Sequence, residues 1–283
     1  MKFLCATVRS VSPCRPRRRA AWPCLVLAVL LALATEWAAA AETETVNGRP
    51  VVRIAYTQFP PIEYQDQHGQ AAGSIIELTR KVAREAGYEP RFELLPVSRI
   101  YLYLKNGTID LWPGLTNIPE LEGQVLESWA SPLTVQLSAW FEQGTPAPAQ
   151  LGDLRGRTLI VIGGYTYGGL LQWLVENQQV RVTEAPNHRS AMDMLKRGRG
   201  DYVLDYREPV REILSAEPAR GLQEVRIRER DAAWLYSLAS PRAAILREAF
   251  DDAFLRLVQK GEIPPNRVAG PGYSIPGFPP AYR

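Results

Sequence analysis

The sequence predicts an α/β protein of two lobes joined by two crossing strands. Three observations carry this. Short apolar runs alternate with amphipathic stretches twice, over residues 51–112 and again over 158–205. A long strand-like run follows each set, at about 135–141 and 234–239. A last amphipathic helix and a proline-rich tail come after both. Strand and helix alternating at this spacing imply a largely parallel sheet covered by helices.

The elements follow in order. Residues 51–55 (Val-Val-Arg-Ile-Ala) read as a buried strand, and Pro60-Pro61 takes the chain out of the sheet because proline donates nothing to a ladder. Ser74 and Glu77 have capping-box spacing at the start of a helix. Ile75, Ile76, Val82, Ala83 and Ala86 form its stripe, and Gly87 stops it. A strand at 91–95, a short helix at 98–106 closed by Gly107, and a strand at 110–112 ending on Pro113-Gly114 complete the first set. After the strand at 135–141, the second set has strands at 158–162, 180–183 and 202–205, with helices at 170–176 and 187–197, the latter capped by Asn187. Ser240-Pro241 reads as an N-cap followed by proline. Ile245, Ala249, Ala253, Phe254 and Leu257 line the last helix, and the tail from Pro264 reads as an extended strap.

Charge changes meaning once the start of the chain is read. The 283 residues carry a formal +3. Lys2, Arg9, Arg15 and Arg17 to Arg19 are followed by an uncharged run over 20–35, then by small residues at 38–41. This is the order of a secretory signal. At 16 residues and with Pro23 inside it, the uncharged run is short of the ~20 that span a bilayer, so a membrane anchor is the lesser reading. Cleavage is expected after Ala40 or Ala41, which places the protein in the periplasm. Six basic residues, Glu36 and all three cysteines leave, so 27 basic face 29 acidic residues. The remaining chain of about 242 residues has no thiol chemistry and needs no disulfide to bury an adequate core. The basic pI therefore implies no nucleic-acid partner.

Catalytic signals are sparse. Neither His68 nor His188 has a metal-ligand partner at suitable spacing, no Gly-x-Ser-x-Gly elbow occurs, and the glycine-rich residues 163–169 lack the Lys-Ser/Thr ending of a phosphate loop. No cofactor or metal is expected. Asp251-Asp252 reads as a solvated face. Polar and aromatic residues instead gather at strand ends, where open α/β sheets bind ligands: Phe59, Trp112 to Thr116, Tyr165-Thr166 and Asp205-Tyr206. Together they suggest a cleft for a small polar molecule.

Several segments then match a family. Phe59-Pro60-Pro61-Ile62-Glu63-Tyr64 with Gly73-Ser74-Ile75-Ile76-Glu77-Leu78 resembles the opening of family 3 periplasmic solute-binding proteins. Leu104-Lys105-Asn106-Gly107-Thr108-Ile109-Asp110, Leu151-Gly152-Asp153-Leu154-Arg155-Gly156-Arg157 and Leu195-Lys196-Arg197-Gly198-Arg199-Gly200-Asp201 resemble later segments in the same order, covering about residues 50–262. The resemblance implies a type II binding-protein fold closing over a solute, often an amino acid, for an ABC permease or a membrane sensor. It implies a signal peptide at 1–41, a first lobe at 42–136 and 240–283, and a second at 137–239. A monomeric, non-enzymatic binder is expected. The alternatives are a lyase-like enzyme on the same scaffold, or a receptor presenting its ligand to a sensor.

By resemblance, Phe59 covers the ligand, Gly114 and Thr116 hold a carboxylate, Thr166 binds from the second lobe, and Asp205 takes an α-ammonium. Glu63, Arg99, Trp112, Tyr165 and Tyr206 complete the expected ligand-binding set. Two departures stand out. The family's Pro-Glu-Arg is here Pro119-Glu120-Leu121, and leucine cannot replace a guanidinium fork, so Arg99 is the candidate to supply the lost charge. The segment 201–205 is one residue short, leaving Asp205 or Tyr206 at the acid's place.

Overall fold

The computed structural model describes residues 44–265 and 273–278. Contacts divide the chain into residues 1–44 and 45–283, and the second unit is the subject here. The expected signal segment and the three cysteines lie outside the described residues, as do residues 266–272 of the tail. Among the described residues, no helix is long and apolar enough to cross a membrane.

Among the described residues, twelve strands and six α-helices follow one another as β1 (Thr45–Val46), β2 (Arg49–Tyr56), β3 (Tyr64–Gln65), β4 (Ala71–Ala72), α1 (Ser74–Glu85), β5 (Glu89–Leu94), α2 (Val97–Asn106), β6 (Leu111–Leu115), β7 (Val125–Glu127) and β8 (Leu133–Glu142), then β9 (Thr158–Ile162), α3 (Leu170–Gln178), β10 (Arg181–Ala185), α4 (His188–Lys196), β11 (Tyr202–Tyr206), α5 (Arg207–Ala216), β12 (Leu222–Ser237) and α6 (Ala243–Gln259). The main sheet runs β1-β2-β6-β12-β8-β11-β9-β10, with β5 on β2 and β7 on β12. The expected α/β fold of two lobes joined by crossing strands is therefore present. β8 and β12 pair antiparallel at its centre. Beyond that pairing, β12 continues onto β6 and β7, and β8 onto β11.

Alternation along the strands explains why helices cover both faces. In β2, Val52 and Ile54 pack under α1 and α6, whereas Ala55 faces the cluster holding Ile100 and Leu104 of α2. In β9, Leu159 and Val161 meet Leu170 and Leu174 of α3, while Ile160 and Ile162 meet Ala191, Met192 and Leu195 of α4. Burying such a side chain contributes about 1.5–3 kcal/mol, so both faces of both halves are closed by apolar packing.

Local expectations are corrected in several places. Gly73, with φ 115°, occupies the N-cap of α1, so Ser74 and Glu77 form no capping box; the Glu77 carboxylate pairs with Arg80 instead. β6 runs through Pro113-Gly114 rather than ending there. Past Leu111 it pairs only with β12, so the missing N–H of Pro113 falls on an open edge. Ser240 does not cap α6, whose N-cap is Arg242; its buried stripe includes Leu246 and Phe250, leaving Ile245 exposed. Asp251 is buried, not solvated. Its carboxylate accepts from Ser128 Oγ and from the Trp129 N–H at 3.2 Å, pinning that loop to α6. β12 begins twelve residues before the expected 234, because Arg226 to Asp231 hide a strand behind charge. α5 was not anticipated at all.

The tail acts on β12. The ladder to β8 shifts register between Arg226 and Arg228. There the Ile227 carbonyl accepts from Ile275 N at 2.9 Å, and the Tyr273 carbonyl accepts from Glu229 N at 2.8 Å. A bulge leaves backbone groups free, and the tail satisfies them. Ile275 and Phe278 then pack with Leu151 and Leu154.

Candidate functional site

A cavity opens where β2, β6 and β11 end, closed by the turn after β9 and floored by the crossing strands. Its volume is about 70 Å³.

The turn after β2 builds one wall. Phe59 N donates to Glu63 O at 2.7 Å and Glu63 N to Phe59 O at 3.1 Å. Paired residues share a face, and both side chains line the cavity. Across it, the Phe59 ring meets Tyr206 edge-on at 5.3 Å and His188 at 5.9 Å. Trp112 forms the adjoining wall and lies directly over Gly114, where a Cβ would fall 2.3 Å from the indole. The opposite wall is the turn holding Tyr165, Thr166, Tyr167 and Gly168. Tyr167 (φ 52°) and Gly168 (φ 65°) are left-handed there, a conformation for which glycine carries no Cβ penalty. The Tyr167 hydroxyl accepts from Ile162 N at 2.9 Å and its ring stacks on Tyr206.

The expected residues separate into three groups. Phe59, Glu63, Trp112, Gly114, Tyr165, Thr166 and Tyr206 line the cavity. Thr116 sits just outside it, with its hydroxyl donating to the Asp231 carbonyl at 3.2 Å. Asp205 is fully buried and outside the wall. Its Oδ2 meets His188 Nδ1 at 2.8 Å, and its Oδ1 accepts from Tyr206 N at 2.7 Å. Arg99 is exposed on α2, away from the cavity, and Leu121 is buried among Ile100, Leu104 and Ile118.

Sequence reasoning missed Arg230. It is 7% exposed, and one guanidinium nitrogen donates to the carbonyls of Thr116 and, at 3.0 Å, Asn117. The other, Nη1, has no partner and abuts Gly168, a cavity residue. A buried guanidinium, absent at position 121, thus stands on a crossing strand behind the cavity wall. Arginine at every second position, 226, 228 and 230, was the available signal. His188 was also passed over as a helix start. Its Nε2 reaches the Gln58 carbonyl at 3.2 Å, linking α4 to the turn after β2.

Electrostatics divide the titratable groups. Burial pushes the Glu63 carboxyl up to about 8, and the Trp112 indole and the Thr57 backbone N–H draw it only partly back. Trp112 Nε1 and Glu63 Oε2 attract one another without reaching hydrogen-bond geometry. Burial opposes protonation of His188, but the Asp205 charge and the bonds to Asp205 and Gln58 carry its pKa above the ordinary value. Burial raises Tyr165, Tyr167 and Tyr206, and lifts Tyr101 to about 12, so the phenols stay neutral. Arg228, beside Arg230, falls to about 10 by burial and like-charge repulsion. Among the described residues, no cluster of His, Cys, Asp or Glu could hold a metal ion.

Comparison with known proteins places this geometry. Residues 52–264 match the bacterial extracellular solute-binding proteins, family 3. No curated protein matches the sequence. Solved structures with the same fold include an ancestral arginine-binding protein bound to arginine (22% identity, TM-score 0.63, covering 75% of this chain and 94% of that one). A histidine kinase sensor domain with similarity to periplasmic binding proteins matches at 24% identity and TM-score 0.64, over 75% and 91% of the two chains. An ABC uptake transporter substrate-binding protein from Streptococcus pneumoniae with bound histidine matches at 19% identity and TM-score 0.63, over 75% and 88%.

Proposed function

The chain belongs to the bacterial extracellular solute-binding proteins of family 3, and from that premise we propose that it closes its two lobes on a small polar solute, an amino acid or related compound, for ABC-type import. One observation carries the reading. Glu63 Oε2, Trp112 Nε1 and Thr166 Oγ1 are buried without a hydrogen-bond partner on residues of one cavity wall, and Arg230 Nη1, likewise unpartnered, lies behind that wall against Gly168. Buried polar groups are normally satisfied. An acid and several donors on opposite walls suit a zwitterion, which would satisfy both sides only when the lobes are shut.

The hinge lies in β8 and β12, which cross between the lobes. We take the protein to be exported to the periplasm with cleavage after Ala40 or Ala41, and to act as a monomer. Its closed form would be read by a membrane permease or by a membrane sensor. We read it as a binder rather than an enzyme, because Glu63 is the one carboxyl on the cavity wall and Asp205 is held by His188.

Thermal unfolding of protein freed of ligand by denaturation and refolding tests this, with L-arginine, L-glutamine, L-histidine and small organic acids as probes. A ligand at 100 times its Kd adds about 2.7 kcal/mol, which raises Tm by roughly 5–10 °C in a chain of this size. No shift with any probe overturns the reading. Mass spectrometry of the material released on denaturation would name the solute directly.

A further inference from the structure

We infer that the solute's ammonium group is received by Glu63, on the first lobe, and not by Asp205 on the second. This rests on the amino-acid reading above and adds the orientation of the ligand in the cleft.

Asp205 is already neutralised from within. Both its oxygens are occupied, by His188 Nδ1 at 2.8 Å and by the Tyr206 backbone N–H at 2.7 Å. The other ring nitrogen of His188 faces the Gln58 carbonyl at 3.2 Å. A carbonyl only accepts, and so does a carboxylate, so the ring that satisfies both carries two N–H groups and a positive charge. A ligand ammonium would have to displace this internal imidazolium from a fully buried acid outside the cavity wall.

Glu63 is differently placed. It lines the cavity, and its Oε2 is buried with no partner. Of the other unpartnered atoms on the wall or, for Arg230, against Gly168 of it, the Trp112 indole and the Arg230 guanidinium can only donate, and the Thr166 hydroxyl is uncharged. Glu63 is therefore the one group that can offer an ammonium both an acceptor and a countercharge. The donors Arg230 and Thr166, across the cleft, are left for the solute's carboxylate.

The choice has a proton consequence. The groups facing Glu63 are the Trp112 indole on β6, the Thr57 N–H on its own turn, and the phenols of Tyr56 and Tyr165, which feel its charge. Beyond Phe59 and Tyr165 stands His188 with Asp205. None of the near groups is cationic. With a carboxyl titrating at about 8, the empty site is mainly protonated at neutral pH. Docking an ammonium there turns the carboxyl into a carboxylate and sends its proton to solvent.

Isothermal titration at pH 7, in two buffers of different ionisation enthalpy, decides the matter. The probes are L-arginine, L-glutamine and L-histidine, each beside its counterpart lacking the α-amino group. The wild type is expected to release about 0.9 proton per amino acid bound and to reject the counterparts. Glu63→Gln should bind roughly ten- to a hundredfold more weakly and release none, whereas Asp205→Asn should lose less affinity and keep the release. Binding with no proton release, equal affinity for the amine-free counterparts, or Asp205→Asn losing more affinity than a fully active Glu63→Gln overturns the inference alone. Failure of every probe to bind the wild type overturns the functional reading, and this one with it. Proton release by the wild type needs no variant, so a misfolded substitution does not spoil the test.

Discussion

Asp110 and Glu63 are both buried carboxyls on the same half of the sheet, 0% and 4% exposed, yet their surroundings treat them in opposite ways. Asp110 is bracketed: Arg53 reaches it through Nε at 3.1 Å, Nη2 at 3.0 Å and its backbone N–H at 2.9 Å, and Arg242 through Nη2 at 2.9 Å. Burial disfavours its charge, but the Arg53 bonds and the Arg242 charge outweigh that and hold its pKa below the usual value. Glu63 has an indole and one backbone N–H, and burial wins. The first acid joins β2, β6 and the start of α6 into one rigid body. The second keeps its capacity for a partner the protein does not supply. Burial alone therefore does not mark a functional acid; an unfilled partner list does.

At pH 5, where the Glu63 carboxyl has cost little, the largest effect should come from breaking the bracket. Asp110→Asn leaves two guanidinium groups without a countercharge and should cost about 3 kcal/mol, the low end for a broken buried pair, because Arg53 is 44% exposed and partly screened. Urea unfolding at pH 5 measures it. The sign with pH follows from the depressed folded pKa. The contribution is present above the ordinary carboxyl value of 3.8 and lost as pH falls through the lower folded one. The difference between the two proteins should hold steady from pH 5 to 8 and shrink in acid.

Glu63 should show the reverse sign. Its folded pKa of about 8 exceeds the ordinary 4.5, so the folded state holds the proton more tightly and is favoured at low pH. Between those values the ligand-free protein should lose up to about 1.4 kcal/mol of stability per pH unit from this group. His188, also raised, loses stability in the upper part of the same range, so the comparison must be between wild type and Glu63→Gln. Their stabilities should converge near pH 4.5 and diverge as pH rises. A gap that does not change with pH would mean that the carboxyl is ionised in the empty cleft.

How much of this was legible depended on whether local pattern or tertiary placement decided it. Apolar alternation in β2 and β9 and the glycine closing α2 were visible because periodicity and backbone constraint are local. The first part of β12 was not, because its charged residues are buried by a tail and by a crossing strand far away in sequence. The ligand set divided the same way. Phe59 and Thr166 follow motifs at strand ends, and the structure brings them to one cavity. Arg230 comes up behind the wall of that cavity from a strand marked only by arginine at alternate positions, and nothing in the sequence ties His188 to Asp205 across seventeen residues. Asp205 looked available because a carboxylate's partners cannot be read from its neighbours in the chain.

The smallest expected effect sharpens the comparison most closely, because it alters the surroundings of Glu63 without touching the acid. A Cβ on Gly114 would lie 2.3 Å from the Trp112 ring, so Gly114→Ala must turn the indole away from its seat. Overpacking of this kind costs about 1–3 kcal/mol. The indole N–H is also one of two groups that restrain the Glu63 pKa. Its displacement should therefore carry the carboxyl higher still, and the decline of ligand-free stability with pH should continue past 8. Urea unfolding from pH 5 to 9 separates the two consequences: a constant offset for the packing, and a shift of the upper limit for the acid. An offset with an unmoved limit would show that the indole does not act on Glu63, leaving the Thr57 N–H as the restraint on its raised pKa.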